Sequence, residues 1–113
     1  MPDSLPLEIS VQETQRLLAA EGAEFRLIDV RDPEEYAYCR LPRAELIPLS
    51  TLPTEAAAKL PDKAAQILVY CHHGMRSLRA TEFLRQMGYT NARSVAGGID
   101  RWSHEIDPTT PTY

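Results

Sequence analysis

The sequence predicts an α/β domain with a mainly parallel sheet and helices on both faces. Three observations lead there. Apolar runs of strand length alternate with stretches of helical periodicity, the connections between them are short, and one run, residues 66–70 (QILVY), is apolar nearly throughout. Strands separated by single helices run parallel through crossover connections, and a strand without polar alternation is one covered on both faces.

Each element has a local reason. Residues 7–9 (LEI) read as a short strand. Ser10 and Glu13 form an S-x-x-E capping box ahead of a helix in which Val11, Thr14 and Leu18 share a face, and Gly22 is positioned as its C-cap. Residues 25–30 (FRLIDV) make a compact apolar strand. Asp32 as N-cap, Pro33 at the first helical position and Glu35 open a second helix. Residues 45–49 (ELIPL) read as a strand that Pro48 ends or confines to an edge. The alanine-rich stretch 54–60 is a helix closed by Pro61. After QILVY and the turn CHHGMR, a helix is expected to begin near Ser77, with Ala80, Phe83, Leu84 and Met87 on one face and Gly88 as its stop. Residues 92–96 (ARSVA) form the last strand, Gly97 and Gly98 permit a sharp turn, and residues 99–106 (IDRWSHEI) make a short helix.

With 113 residues the chain is read as one domain, its core at residues 7–106 and its proline-rich end, residues 107–113 (DPTTPTY), as an extended tail. At 43% hydrophobic and 25% charged residues the composition excludes wholesale disorder and coiled coil. A net charge of −4 argues against nucleic acid as a partner, no apolar run reaches membrane-spanning length, and no signal peptide is visible at the N-terminus. Two cysteines, Cys39 and Cys71, do not make a disulfide framework, so a cytoplasmic location with free thiols is expected.

The chemistry concentrates in the turn after the buried strand. Cys71 falls at the carboxyl edge of the sheet, where ligands of open parallel sheets bind. A cysteine is a nucleophile as thiolate, which helix N-termini and cations favour. The turn supplies the amides of residues 72–77, a glycine at position 74 that lets them curl towards one point, and the guanidinium of Arg76. An arginine at a helix N-terminus opposes the helix dipole, which points to an anionic partner. His72, His73, Gly74, Met75, Arg76 and Ser77 are therefore the candidate anion-binding loop around Cys71.

The turn C-x-x-G-x-R-S resembles the active-site loop of rhodanese-family sulfurtransferases. LIDVRDPEEY is similar to that family's D-V-R-x-x-x-E-[FY] segment, LPRAELIPLS stands where the family has H-I-P-G-A-x-N-I-P-L, and GGIDRW resembles its closing G-G-x-x-x-W. The resemblance spans residues 10–102 and implies a five-stranded rhodanese-like fold. It also implies sulfane sulfur transfer, in which Cys71 takes sulfur from a small anionic donor such as thiosulfate, holds it as a persulfide and passes it to an acceptor, with no cofactor and no metal. The ending of the chain is similar to rhodanese domains joined to E1-like adenylyltransferases of molybdopterin and thiamin biosynthesis, which implies a sulfur-carrier protein or a thiol as acceptor. The chain departs from the family at CRLPRA, residues 39–44, where Arg40 and Arg43 replace a histidine and a glycine. The two arginines are expected to join Arg79 in an electropositive rim.

Other residues have plainer readings. Asp29 and Arg31 are read as a supporting ion pair, Trp102 as core packing and Cys39 as a packed thiol. His72 and His73 are read as rim residues that contribute amides, since adjacent residues on a tight turn rarely share an ion. Two alternatives to sulfur transfer stay open: a non-catalytic rhodanese-like binding module, and a cysteine phosphatase. The second ranks well behind, because the spacing here is C-x4-R, one residue shorter than the phosphatase C-x5-R, and the smaller cradle fits sulfur better than phosphate.

Overall fold

The computed structural model describes residues 5–113. Five strands form one sheet in the order β1-β5-β4-β2-β3, every described pair parallel: β1 (Glu8–Ile9), β2 (Arg26–Asp29), β3 (Ala44–Leu46), β4 (Ile67–Tyr70) and β5 (Ala92–Val95). Between and after them run α1 (Val11–Ala19), α2 (Pro33–Tyr38), α3 (Leu52–Lys59), α4 (Met75–Gln86) and α5 (Gly98–Glu105). Among the described residues no helix is long and apolar enough to cross a membrane.

The central strand is β4, and all four of its residues are buried. Ile67 and Val69 face a core completed by Leu52, Ala56 and Leu60 of the α3 region and by Ala80 and Leu84 of α4. Leu68 and Tyr70 face a second core with Val11, Val95, Ile99 and Trp102. The period-two alternation of the strand thus feeds two apolar layers, each fully buried aliphatic side chain contributing about 1.5–3 kcal/mol. Trp102 is a core residue, 4% exposed, in the layer between the sheet and α5. Cys71 belongs to the first core and Cys39 to the second, so the sheet separates the two free thiols.

Several boundaries differ from the sequence expectation. Ser10 caps α1 by accepting from the Glu13 amide at 3.0 Å, but Glu13 turns to Arg16 instead of closing the box. The C-cap is Ala20, and Gly22 sits two residues beyond it. β3 ends at Leu46, two residues before Pro48, and α3 begins at Leu52, since Pro53 is well suited to a first helical turn. α4 starts at Met75 and not near Ser77: Gly74 takes φ +103° as the N-cap and swings the chain directly into the helix. Arg43, which stands where a glycine was expected, adopts φ +67°, and its guanidinium lies 4.4 Å from the Phe25 ring. This left-handed conformation costs about 1–2 kcal/mol for a non-glycine residue, and the cation–π contact offsets part of it. The same placement takes Arg43 to the amino edge of the sheet, so it cannot join a positive rim at the cysteine.

The tail is not simply extended. It makes a turn after α5, with the Thr110 amide donating to the Asp107 carbonyl at 3.0 Å and Ser103 Oγ donating to the Thr110 carbonyl at 2.6 Å. It then runs back over the carboxyl edge of the sheet to Tyr113.

The start of α5 and the cysteine turn fit together with almost no room between them. A Cβ on Gly98, at φ +61°, would stand 2.5 Å from the His72 carbonyl oxygen and closer still to that of Cys71. Gly22, at φ +79°, has open space around it. Gly22→Ala is expected to cost only the left-handed penalty of about 1 kcal/mol, and Gly98→Ala about 3 kcal/mol or more because backbone must also move. Urea unfolding of the two variants measures the difference, and equal losses would show that the close packing is not what α5 requires.

Candidate active site

Cys71 directly follows β4 and is 1% exposed. Two backbone amides point at its sulfur: that of Gly74 at 3.1 Å and that of Ser77 at 3.3 Å. The Ser77 hydroxyl lies 3.5 Å from the sulfur and is itself fixed by the Gly74 carbonyl at 3.2 Å and Ser94 Oγ at 2.7 Å. The left-handed Gly74 and the free N–H groups at the start of α4 produce this convergence. Of the amides at 72–77, Gly74 and Ser77 are the ones that bond the sulfur. The turn is held from behind by α5: the Ile99 amide donates to the Cys71 carbonyl at 2.9 Å, and the Asp100 amide to the His72 carbonyl at 3.0 Å. A cradle of N–H donors around a sulfur suits a negative charge on that sulfur and an anion placed on it.

Asp29 and Arg31 form a fully buried pair beneath this turn. Arg31 Nη2 meets Asp29 Oδ2 at 2.7 Å, both side chains are 0% exposed, and the guanidinium also donates to the Cys39 carbonyl. Burial opposes the charge on Arg31, but hydrogen bonds to Asp29 and Tyr113 more than compensate and hold its pKa above the ordinary value. Arg76 is not turned to the sulfur. Its Nη1 and Nη2 bond the two carboxylate oxygens of Glu35 at 2.8 and 3.1 Å. Met75 projects outward, 70% exposed.

Two residues that the sequence did not single out complete the site. Glu35, read as a helix-start residue and as the glutamate of the D-V-R-x-x-x-E-[FY] segment, accepts from the Asp32 amide at 3.0 Å and also faces Arg76. Its pKa is depressed to about 2, first by the Arg76 hydrogen bond and against a smaller opposing effect of burial. Tyr113, read as part of the tail, lays its hydroxyl between Arg31 Nη1 and Glu35 Oε2, 2.7 Å from each. Its ring stacks on His72 at 3.8 Å between centroids and meets Tyr38 edge-on at 5.9 Å. Burial pushes the phenol up to about 12, so it stays a neutral donor and acceptor. The result is an unbroken chain, Asp29–Arg31–Tyr113–Glu35–Arg76, which meets the Cys71 turn at His72, where Tyr113 stacks, and at Arg76. No local signal marks Tyr113, because its role depends on where the tail returns. Glu35 had a signal in principle, since a carboxylate in the first turn of a helix at the carboxyl edge is placed to meet charges there.

His72 is sandwiched between Tyr113 and His73, whose ring centroid is also 3.8 Å away. Desolvation is the first cause that lowers its pKa, and the neighbouring His73 adds to it.

A wholly parallel five-stranded sheet with helices on both faces and a cysteine turn at its carboxyl edge defines an α/β domain with a cysteine-loop site. The chain belongs to the Rhodanese-like domain family, which matches residues 10–105. It is 38% identical over 96 residues to the adenylyltransferase and sulfurtransferase uba4 of Ogataea parapolymorpha, covering 85% of this chain and 24% of that protein. It is 31% identical over 118 residues to the adenylyltransferase and sulfurtransferase MOCS3-1 of Zea mays, covering 100% of this chain and 25% of the relative. The chain thus spans about a quarter of the length of these curated relatives. Among solved structures, the human single-domain sulfurtransferase TSTD1 superposes with a TM-score of 0.77 at 33% identity, covering 89% of this chain and 98% of that one.

The geometry sets two expectations. Because the folded pKa of Glu35 lies below its unfolded value, its stabilising effect is complete above about pH 5 and is lost as pH falls towards 2. Arg76 is 35% exposed, so solvent screening trims the effect to about 1–2 kcal/mol. Glu35→Gln should lower stability by that amount at neutral pH and flatten the acid limb of a stability–pH curve. Tyr113→Ala should raise the rate of iodoacetamide labelling at Cys71 roughly tenfold, the factor expected when about 1.4 kcal/mol of hydrogen bonding and stacking is removed. Peptide mapping assigns the label, and an unchanged rate at Cys71 would show that the tail does not guard the thiol.

Proposed function

We propose that this domain is a sulfurtransferase that carries sulfane sulfur on Cys71 as a persulfide. The observation behind this reading is the convergence of the Gly74 and Ser77 amides on Sγ at 3.1 and 3.3 Å, in a chain of the rhodanese-like family. The Cys71 thiolate attacks the outer sulfur of the donor, a new S–S bond forms, and the old bond breaks with its electron pair leaving on sulfite (from thiosulfate) or on a thiolate (from a persulfide). The terminal sulfur of the enzyme persulfide is then attacked by an acceptor nucleophile, a thiol or cyanide, and the bonding pair returns to Cys71. These two displacements balance without an oxidant or a cofactor, and they make the reaction ping-pong. Towards the activated carboxyl end of a sulfur-carrier protein the persulfide is itself the nucleophile: its terminal sulfur attacks the carbonyl carbon, the activating group leaves with its electron pair, and a second thiol then attacks Cys71 Sγ, forming a disulfide with it and expelling the thiocarboxylate.

The cradle holds negative charge on sulfur in each state. Preorganised N–H donors in acyl-transfer sites are worth about 3–4 kcal/mol each, and the more diffuse charge of a persulfide reduces that value. Arg76 supports the anion from one side while paired with Glu35, and an incoming sulfonate competes with that carboxylate for its donors. The named activities of the relatives support the same chemistry, and the adenylyltransferase activity named with two of them supports an activated carrier protein as one acceptor.

Thiosulfate or an alkyl persulfide should add one sulfur to the intact mass. The gain should persist in Cys39→Ala and vanish in Cys71→Ala. A gain that survives Cys71→Ala removes Cys71 as the carrier, and no gain with any donor alongside tight capture of a partner protein would make the domain a binding module.

A further inference from the structure

Beside the cysteine turn, on the outer side of α5, lies a recess of about 280 Å³ lined in part by His73, Asp100 and His104. The ring of His72 stands behind His73. Ligand-capable atoms of His72, His73 and Asp100 all fall within 4.8 Å of one another. His73 Nε2 is 3.9 Å and His104 Nδ1 3.7 Å from the same oxygen of Asp100, Oδ2. Among the described residues no lysine or arginine pairs with this carboxylate. Arg101, on the same wall, is drawn instead to Glu105 at 3.6 Å.

The arrangement is fixed by the fold. The Asp100 amide donates to the His72 carbonyl, which locks the carboxylate to the turn that bears both imidazoles. The His72 ring stacks on Tyr113, and its Nε2 is buried without a hydrogen-bond partner. A buried ring nitrogen in that condition costs free energy that a ligand at the nitrogen would recover. The sequence expectation against a shared ion rested on how rarely adjacent residues of a tight turn point at one ion, and α5 adds the carboxylate of Asp100 beside them.

We propose that His72, His73 and Asp100 bind one divalent transition-metal ion of the Zn²⁺ class, with solvent completing its coordination. Two imidazoles and a carboxylate suit such borderline ions better than Ca²⁺ or Mg²⁺, which take oxygen ligands. Bonds of about 2.0–2.1 Å in a tetrahedron put ligand atoms about 3.3 Å apart. The cluster must therefore contract from 4.8 Å, and His73, whose side chain is 61% exposed, is free to swing inward. An ion here lies at the rim of the Cys71 turn without needing the thiol as a ligand.

The test is calorimetric titration of the full, untagged chain with Zn²⁺ in a Cys71→Ser background, which removes that thiol as a competing ligand. One ion per chain is expected to bind, and adding Asp100→Asn or His73→Gln should weaken binding by about tenfold or more, with circular dichroism showing that the variants are folded. Failure of the Cys71→Ser protein to bind Zn²⁺, or an affinity unchanged by both further substitutions, overturns the proposal.

Discussion

Two hydrogen bonds from the first turn of α5 to the carbonyls of Cys71 and His72 hold the shape on which the site depends. The bonds work only because Gly98 brings its backbone against those carbonyls with no Cβ between them. With the turn pinned from that side, Gly74 can take its left-handed conformation and α4 can begin at Met75. The amides of Gly74 and Ser77 then have one place to point, and the sulfur of Cys71 occupies it. The cradle is thus made by the contact between two helix starts, and each depends on the other.

Beside the cradle, charge is managed by pairing. Arg31 sits in the interior with Asp29, Arg76 sits nearer solvent with Glu35, and the hydroxyl of Tyr113 joins the two pairs. A buried guanidinium without a partner would cost several kcal/mol, so these partners are a condition of having two arginines here at all. The arrangement also leaves no guanidinium idle beside the sulfur. The Arg76 donors are taken by Glu35, whereas the main-chain donors on Sγ are already in place. Recognition of sulfur by the backbone and control of access by side chains are therefore divided between different parts of the site.

The core layers explain why this edge of the sheet is rigid enough for such work. β4 is buried on both faces and runs straight into Cys71, so this thiol is anchored at the most constrained strand of the domain. The second thiol, Cys39, lies in the opposite layer, with its sulfur 3.8 Å from the Pro111 carbonyl. The sheet itself keeps the two cysteines in separate environments.

Much of this was legible in the sequence because it is local. Apolar runs with periods of two and near four residues set the five strands and the helices, the run QILVY identified the central strand, and C-x-x-G-x-R-S identified the turn at its end. Asp29 and Arg31, two residues apart at a strand end, announced their pairing. What the sequence left open depends on segments distant along the chain. Neither the partner of Arg76 nor the return of Tyr113 to Glu35, 78 residues away, has a local mark. The meeting of Asp100 with the two histidines of the turn likewise exists only once α5 has docked. Backbone periodicity and turn chemistry act over a few residues and are written in the order of the amino acids. The pairing of side chains across the site is decided by which surfaces pack together, and only the tertiary structure decides that.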